Sequence, residues 1–392
     1  MLSERARQIK PSPTLAIDSR AKAMKAEGLD VISFGVGEPD FDTPENIKEA
    51  AIKAIRDGFT KYTAVGGTDK LKDAIIGKFQ ADNALKYERN EILVSCGAKH
   101  SLYNTMQALL SPGDEVIIPS PYWVSYPEQV VLAGAKPVIV KTLEEDRFLL
   151  AAQAFEKSIT KNTKALILNS PSNPTGFSYG PEALGRIAEI AVKNGVYIIS
   201  DEIYEKLLYD GARHVSIAST GEEVKKRTIV INGVSKAYSM TGWRIGYAAG
   251  PAPLIKAMTS IQSQSTSNPT SIAQAAAVEA LKGPQDSVAR MAAEFDKRRK
   301  RIVEALNAIE GVRCIPPTGA FYVFPNTQAL YAKSPEISSS SKLAMYLLEK
   351  AMVAVVPGDA FGDDDYIRLS YATGIGEIER GVERIKKTLA EL

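Results

Sequence analysis

Lys236 stands in the segment Gly233-Val234-Ser235-Lys236-Ala237, directly after the apolar run Thr228-Ile229-Val230-Ile231, and Arg244 follows eight positions later. A lysine at the mouth of a strand, shielded by apolar neighbours, loses its proton more easily than one in water and can form an imine with an aldehyde. Most lysines are solvated, so Lys236 alone decides nothing. Upstream, Val196-Tyr197-Ile198-Ile199-Ser200 reads as a buried parallel strand that ends at Asp201 and runs on to Tyr204. A carboxylate at the carboxyl end of such a strand points into the crevice where open α/β sheets bind ligands, and there it can hold a proton on a heteroaromatic nitrogen. A third apolar run, 165–168, leads into Asn169-Ser170-Pro171-Ser172-Asn173-Pro174-Thr175-Gly176. Its prolines and glycine force a turn that presents the Asn173 amide. Three strand ends thus deliver an amide, an acid and an amine.

These groups need a frame, and the hydropathy pattern supplies one. Short apolar runs at 91–95, 115–119, 136–140, 164–168, 196–200, 228–231 and 245–249 alternate with amphipathic helical patterns, the signature of a parallel sheet wound by helices. A long helical stretch, 271–306, is followed by more separated strands at 312–315, 320–324, 353–356 and 366–370. The expected architecture is α/β. A large domain over 45–285 carries a mainly parallel seven-stranded sheet, and a smaller, discontinuous α/β domain is built from an N-terminal arm, 1–44, and the C-terminal part, 286–392. At 392 residues the chain exceeds what one core usually supports. Ser338-Ser339-Ser340-Ser341 reads as a mobile loop or a helix start.

Composition excludes several classes. With 45% apolar residues and a formal charge of +2, the chain has no bias toward nucleic acid, and the run Lys297-Arg298-Arg299-Lys300-Arg301 reads as a solvated helix face. The first ten residues lack the apolar stretch of a secretory signal, and no window approaches the roughly 20 apolar residues that cross a bilayer. A cytoplasmic protein without a membrane partner is expected. Cys96 and Cys314 read as free thiols rather than a disulfide. Two histidines, His100 and His214, leave no basis for a metal site or a histidine triad.

Ser95-Cys96-Gly97-Ala98-Lys99 follows a strand and opens a helical pattern, so its backbone N–H groups meet the positive end of a helix and can accept a phosphate. Gly97 could equally serve as a plain strand-to-helix turn. Arg244 adds a charge-assisted clamp for a dianion. Arg368, in Ile367-Arg368-Leu369-Ser370, is an arginine on an apolar strand and requires an anion, either an internal acid or a ligand carboxylate.

The ordered set Gly-Glu-Pro-Asp (37–40), Thr-Lys-Tyr (60–62), Pro-Tyr-Trp-Val-Ser-Tyr-Pro (121–127), Asn-Pro-Thr-Gly (173–176), Ser-Asp-Glu-Ile-Tyr (200–204) and Ser-Lys…Thr-Gly-Trp-Arg-Ile-Gly-Tyr (235–247) resembles the fold-type I pyridoxal 5′-phosphate enzymes. Within them it is similar to the class I aminotransferases of the bacterial and archaeal aspartate aminotransferase subgroup, nearly end to end. The resemblance implies pyridoxal 5′-phosphate bound through Lys236. Asp201 sits on the ring nitrogen, Asn173 and Tyr204 on the 3-oxygen, and Trp123 against the ring face. Gly97, Ala98, Lys99, Ser235 and Arg244 lie around the phosphate, and Tyr62 reaches it from the partner of a homodimer. The family usually carries a hydroxyl three residues before the lysine, where this chain has Gly233, which leaves Ser235 or the Gly233 backbone to replace it. For the substrate, the resemblance implies Arg368 and Gly37 at the α-carboxylate, with Trp123 and Asn173 nearby. Lys99, Lys10, Ser12 and Thr14 are implied at the distal carboxylate of a dicarboxylic amino acid.

The expected activity is transamination between L-aspartate and 2-oxoglutarate, with prephenate as a further acceptor. The alternatives are a broad aromatic or alanine aminotransferase and a carbon–sulfur lyase on the same cofactor. A non-catalytic cofactor-binding sensor has no appended DNA-binding module to support it. A dehydrogenase is disfavoured because no G-x-G-x-x-G follows the first strand.

Overall fold

A computed structural model describes residues 2–9 and 13–392. The seven apolar runs form one sheet: β1 (Ile92–Ser95), β2 (Glu115–Ser120), β3 (Lys136–Lys141), β4 (Thr163–Asn169), β5 (Tyr197–Asp201), β6 (Thr228–Gly233) and β7 (Gly246–Ala249). Their spatial order is β1-β7-β6-β5-β4-β2-β3. All neighbours run parallel except β7, which is antiparallel to both β1 and β6. The reason lies in the connection. Residues 234–245 between β6 and β7 hold turns and a short 3₁₀ segment, Thr241–Trp243, but no helix of the kind that usually carries a chain back for a parallel return. The carboxyl ends of β4, β5 and β6 therefore open on one edge, next to a loop that carries Lys236 and Arg244.

A second core combines the two chain ends. Ile17, Met24 and Phe34 pack with Phe295, Leu306, Tyr322, Leu343, Val353 and Leu369, all buried. Around it, Ile32–Ser33 pairs in parallel with Val353–Ala354. Val356–Pro357, Ile367–Ser370 and Tyr322–Val323 form a three-stranded antiparallel sheet.

Four expectations are corrected. The stretch 271–306 is two helices, Ser271–Lys282 and Asp286–Asn307, because Gly283 is extended before Pro284, and a residue preceding proline avoids the helical region. Residues 312–315 form no strand. The Asn307 side chain takes both the N–H and the C=O of Cys314, leaving only an isolated bridge between Arg313 and Asn326. The segment 353–356 splits, Val353–Ala354 serving one sheet and Val356–Pro357 the other. The basic run is not wholly solvated. Arg298 and Arg299 are 6% and 3% exposed; the first bonds Asp40 and the second Asp210, Asp296 and the Pro317 carbonyl. Only Lys297, Lys300 and Arg301 keep exposed side chains. The serine run resolves as a helix start, with Ser339 accepting from the Lys342 N–H to cap Ser340–Lys350. Cys96 and Cys314 are free. Among the described residues, no helix is long and apolar enough to cross a membrane.

Candidate active site

Between the sheet edge and the second core lies a cavity of about 340 Å³. Asn173, Asp201, Tyr204, Lys236, Arg244 and Arg368 all line it. Lys236 is half-way along no regular element: the β6–β7 loop carries it, and its Nζ donates to the Gly37 carbonyl. Burial disfavours its charge and, with Arg368 and Arg244 adding to it against Glu38 and Asp201, brings its pKa down to about 8. A free amine is thus accessible near neutral pH.

Asp201 ends β5 and is 4% exposed. Burial raises its pKa to about 6 against two hydrogen bonds, one from the Tyr126 hydroxyl to Oδ2 at 2.7 Å and one from the Ile203 N–H to Oδ1 at 3.3 Å. A cationic ring nitrogen placed against this carboxylate would return it to the ionised form. Asn169, at the end of β4, ties the neighbouring turn in place. Its Nδ2 donates to the Asp201 carbonyl and its Oδ1 accepts from the Asn173 N–H.

Arg368 carries the clearest signal for a ligand. It is 2% exposed, and its guanidinium donates to Asn173 Oδ1 at 3.0 Å and to the Gly35 carbonyl at 2.7 Å. Its Nε is buried without a partner, and among the described residues no carboxylate pairs with it. A buried cation without a counter-ion is costly unless an anion arrives. The internal salt bridge left open by the sequence is therefore not what this arginine makes.

The helix Ala98–Leu109 starts at the cavity wall. Its first N–H groups have no acceptor within the helix. Gly97 precedes it at φ +90°, and a Cβ there would lie 2.3 Å from Arg244 Nη2. This glycine therefore makes room for the arginine, which is itself bonded to the Thr241 and Cys96 carbonyls and exposed at the cavity mouth. N–H groups, a guanidinium and the nearby Ser235 hydroxyl make an anion cradle. At Gly233 a Cβ would stand 3.0 Å from both Gly246 Cα and the Ile245 carbonyl, so β7 crowds the position where the family's hydroxyl is usual. Trp123 lines the cavity edge-on to Tyr126, with Lys99 Nζ 4.8 Å from its ring centroid. Burial, then Arg244, lowers the Lys99 pKa.

Of the expected site residues, Gly37, Ala98, Lys99, Trp123, Asn173, Asp201, Tyr204, Ser235, Lys236, Arg244 and Arg368 line this one cavity, with Gly97 behind it. Tyr62 does not; it is 91% exposed. Lys10 and Ser12 lie outside the described residues, as does the side chain of Thr14. The sequence reading missed Tyr126, Tyr322 and the Gly35 carbonyl. Tyr126 was visible in the 121–127 motif, but nothing in one sequence said that it faces Asp201.

Residues 29–385 match the family described as aminotransferase class I and II. The chain belongs to that family. This aminotransferase is 54% identical to the aspartate aminotransferase of Bacillus sp. strain YM-2, over 99% of this chain and 98% of that one. It is 49% identical to the aspartate/prephenate aminotransferase of Nitrosomonas europaea, over 99% and 100% of the two. Its structure is similar to that of the aspartate aminotransferase from Rhizobium meliloti, with a TM-score of 0.96 and 47% identity over 100% of this chain and 99% of that one. Aminotransferases of this kind depend on pyridoxal 5′-phosphate. The cavity fits that group: an anion cradle at a helix start, a lysine with a lowered pKa and a buried carboxylate face one another across it.

Proposed function

We propose that this aminotransferase passes the amino group of L-aspartate to 2-oxoglutarate, giving oxaloacetate and L-glutamate. The observation that carries the reading is the buried Arg368, which has no acid partner among the described residues. Every amino acid brings the α-carboxylate that such a guanidinium can grip in a fork. Across the same cavity, Lys99 stands exposed over the Trp123 face, with no carboxylate bonded to it among the described residues. It supplies a second positive charge for a distal carboxylate, with Lys10, Ser12 and Thr14 assigned beside it.

Pyridoxal 5′-phosphate supplies the aldehyde that takes up the amino group and the ring that accepts electrons from Cα. Lys236 anchors it and then, as a free amine, moves the proton released at Cα. Asp201 holds a proton on the ring nitrogen. Asn173 and Tyr204 hydrogen-bond the 3-oxygen, and Trp123 covers the ring face. Gly97, Ala98, Lys99, Ser235 and Arg244 surround the phosphate, with Ser235 or the Gly233 backbone in place of the family's hydroxyl. Gly37 lies beside the α-carboxylate.

Tyr62, exposed like Ile55 and Phe59 shortly before it in the chain, supports a homodimer in which each chain completes the other's phosphate site. The divisions 1–44, 45–285 and 286–392 and a cytoplasmic location belong to the same proposal. A second reading adds prephenate as an acceptor, motivated by the name of the Nitrosomonas europaea relative.

A panel of amino donors, each offered 2-oxoglutarate, oxaloacetate or prephenate with the product quantified, tests the assignment. Aspartate and glutamate should lead as donors, with parallel-line kinetics. Preference for alanine or an aromatic donor, or release of a thiol from a sulfur amino acid, would move the assignment to one of the alternatives.

A further inference from the structure

Tyr322 lies on the strand Tyr322–Val323 of the small sheet, opposite Ser370, and its side chain is buried in the cavity wall. Its hydroxyl is 2.9 Å from that of Tyr204. Its ring lies beneath the Arg368 guanidinium, 4.5 Å from centroid to Cζ, while Phe361 takes the guanidinium at 5.1 Å. Gly37 presses on the same hydroxyl, since a Cβ there would stand 2.7 Å from it. One side chain thus touches the phenol assigned to the cofactor, the arginine assigned to the α-carboxylate and the backbone stretch whose carbonyl holds Lys236.

We propose that Tyr322 is a positioning residue that donates its hydroxyl proton to Tyr204 and braces Arg368 with its ring, so coupling the cofactor's 3-oxygen to the α-carboxylate site. The inference rests on the roles assigned above to Tyr204 and Arg368.

Proton counting supports it. Two phenols share one hydrogen bond, and each has a single proton to give. If Tyr204 donated to Tyr322, it would have nothing left for the 3-oxygen. Tyr322 must therefore be the donor in the pair, which turns the Tyr204 O–H toward the cofactor. Burial raises both phenols, and the Arg368 charge opposes that rise at each of them. The ring has a separate task, because a guanidinium held against an aromatic face keeps its fork in one plane and favours its charge.

Tyr322→Phe deletes the hydroxyl and keeps the ring. Without that donor, the Tyr204 O–H is no longer aimed and the 3-oxygen holds a neighbouring proton more tightly. The pH midpoint of the holoenzyme's yellow absorption should rise by roughly half a unit, the size expected when one neutral hydrogen bond is weakened. Tyr204→Phe should raise it further. The dissociation constant of maleate, an unreactive dicarboxylic acid, should stay within about twofold in Tyr322→Phe, because the ring still supports Arg368. Tyr322→Leu, which removes the ring, should weaken maleate about tenfold, as expected when a desolvated cation loses its aromatic face.

A midpoint that moves in Tyr204→Phe and stays at the wild-type value in Tyr322→Phe overturns the proposal and leaves the Tyr204 assignment intact. A midpoint unmoved in Tyr204→Phe itself overturns that assignment and this inference with it. Equal maleate binding in Tyr322→Leu and wild type overturns the bracing of Arg368.

Discussion

The Tyr126 hydroxyl donates to Asp201 Oδ2 at 2.7 Å, from the helix Ser125–Leu132 to the end of β5. Both groups are buried, so the bond stabilises the carboxylate where solvent cannot. Tyr126→Phe removes it with little change of shape and leaves burial to raise Asp201 beyond its present value of about 6. A hydrogen bond to a charged group contributes about 1.5–3 kcal/mol. We expect kcat/KM to fall roughly ten- to a hundredfold at that cost, with the acid limb of the pH–rate profile moved to higher pH. An unchanged acid limb would show that Tyr126 only packs against Trp123.

Asp201→Asn goes further, since an amide cannot hold a ring-nitrogen proton by charge. Single-turnover proton transfer should slow at least about a hundredfold, equivalent to roughly 2.7 kcal/mol. Rates equal to wild type would remove Asp201 from the chemistry.

Lys236→Ala should abolish turnover while the phosphate cradle retains some cofactor. In the wild type, borohydride should fix the yellow chromophore to Lys236, which peptide mapping reads directly. Label on Lys99, the other lysine that lines the cavity among the described residues, would reverse the two assignments.

The strands were legible because a sheet covered on both faces demands uninterrupted apolar runs, and six of the seven end within one residue of the expected limits. Lys236, Asp201 and Asn173 were legible for a related reason: each stands at or just beyond the end of such a run, where the chain must turn. What escaped the sequence were contacts between elements far apart in the chain. Tyr126 meets Asp201 across 75 positions and Tyr204 meets Tyr322 across 118. Arg298 and Arg299 looked solvated because local periodicity does not reveal Asp40 or Asp210 waiting opposite them.

A buried charge cluster behind the Asp201–Tyr204 turn makes stability depend on pH. His214 Nε2 is 3.0 Å from Glu202 Oε2, and Glu205 pairs with Lys78 and Asn83. Burial pushes the His214 pKa down, but Glu202 and then Glu205 outweigh it against Lys78, leaving it above 6.5. Its contribution is therefore fully present below that value and lost as pH rises through the folded pKa. Glu205 behaves oppositely. Burial raises it, but Lys78, His214 and Asn83 hold it at about 2, so its contribution is present above 4.5 and lost as pH falls toward 2. Glu202→Gln should lower the thermal midpoint most on the acid side of neutrality. Its deficit against wild type should shrink as pH rises past the His214 titration. A deficit that is constant across that range would exclude the His214–Glu202 pair as its source.

Lys99 and Arg368 separate dicarboxylate specificity from amino-acid binding in general. Arg368 is buried with an unpartnered Nε, and its proposed ligand, the α-carboxylate, is a group that every amino acid carries. Arg368→Ala should depress kcat/KM for aspartate and alanine alike. Lys99 is held only by the Trp123 ring among the described side chains, and burial already disfavours its charge, so a distal carboxylate gains from meeting it and suffers when it is gone. Lys99→Ala should cost aspartate and glutamate on the order of 2–4 kcal/mol, because one member of a desolvated charge pair is left alone. Alanine and phenylalanine should be spared. Prephenate carries a distal carboxylate too and should lose with aspartate if the enzyme accepts it. Equal losses for acidic and neutral donors would assign Lys99 to the cofactor phosphate, whose cradle begins one residue away at Ala98, and the preference for aspartate would then need another source.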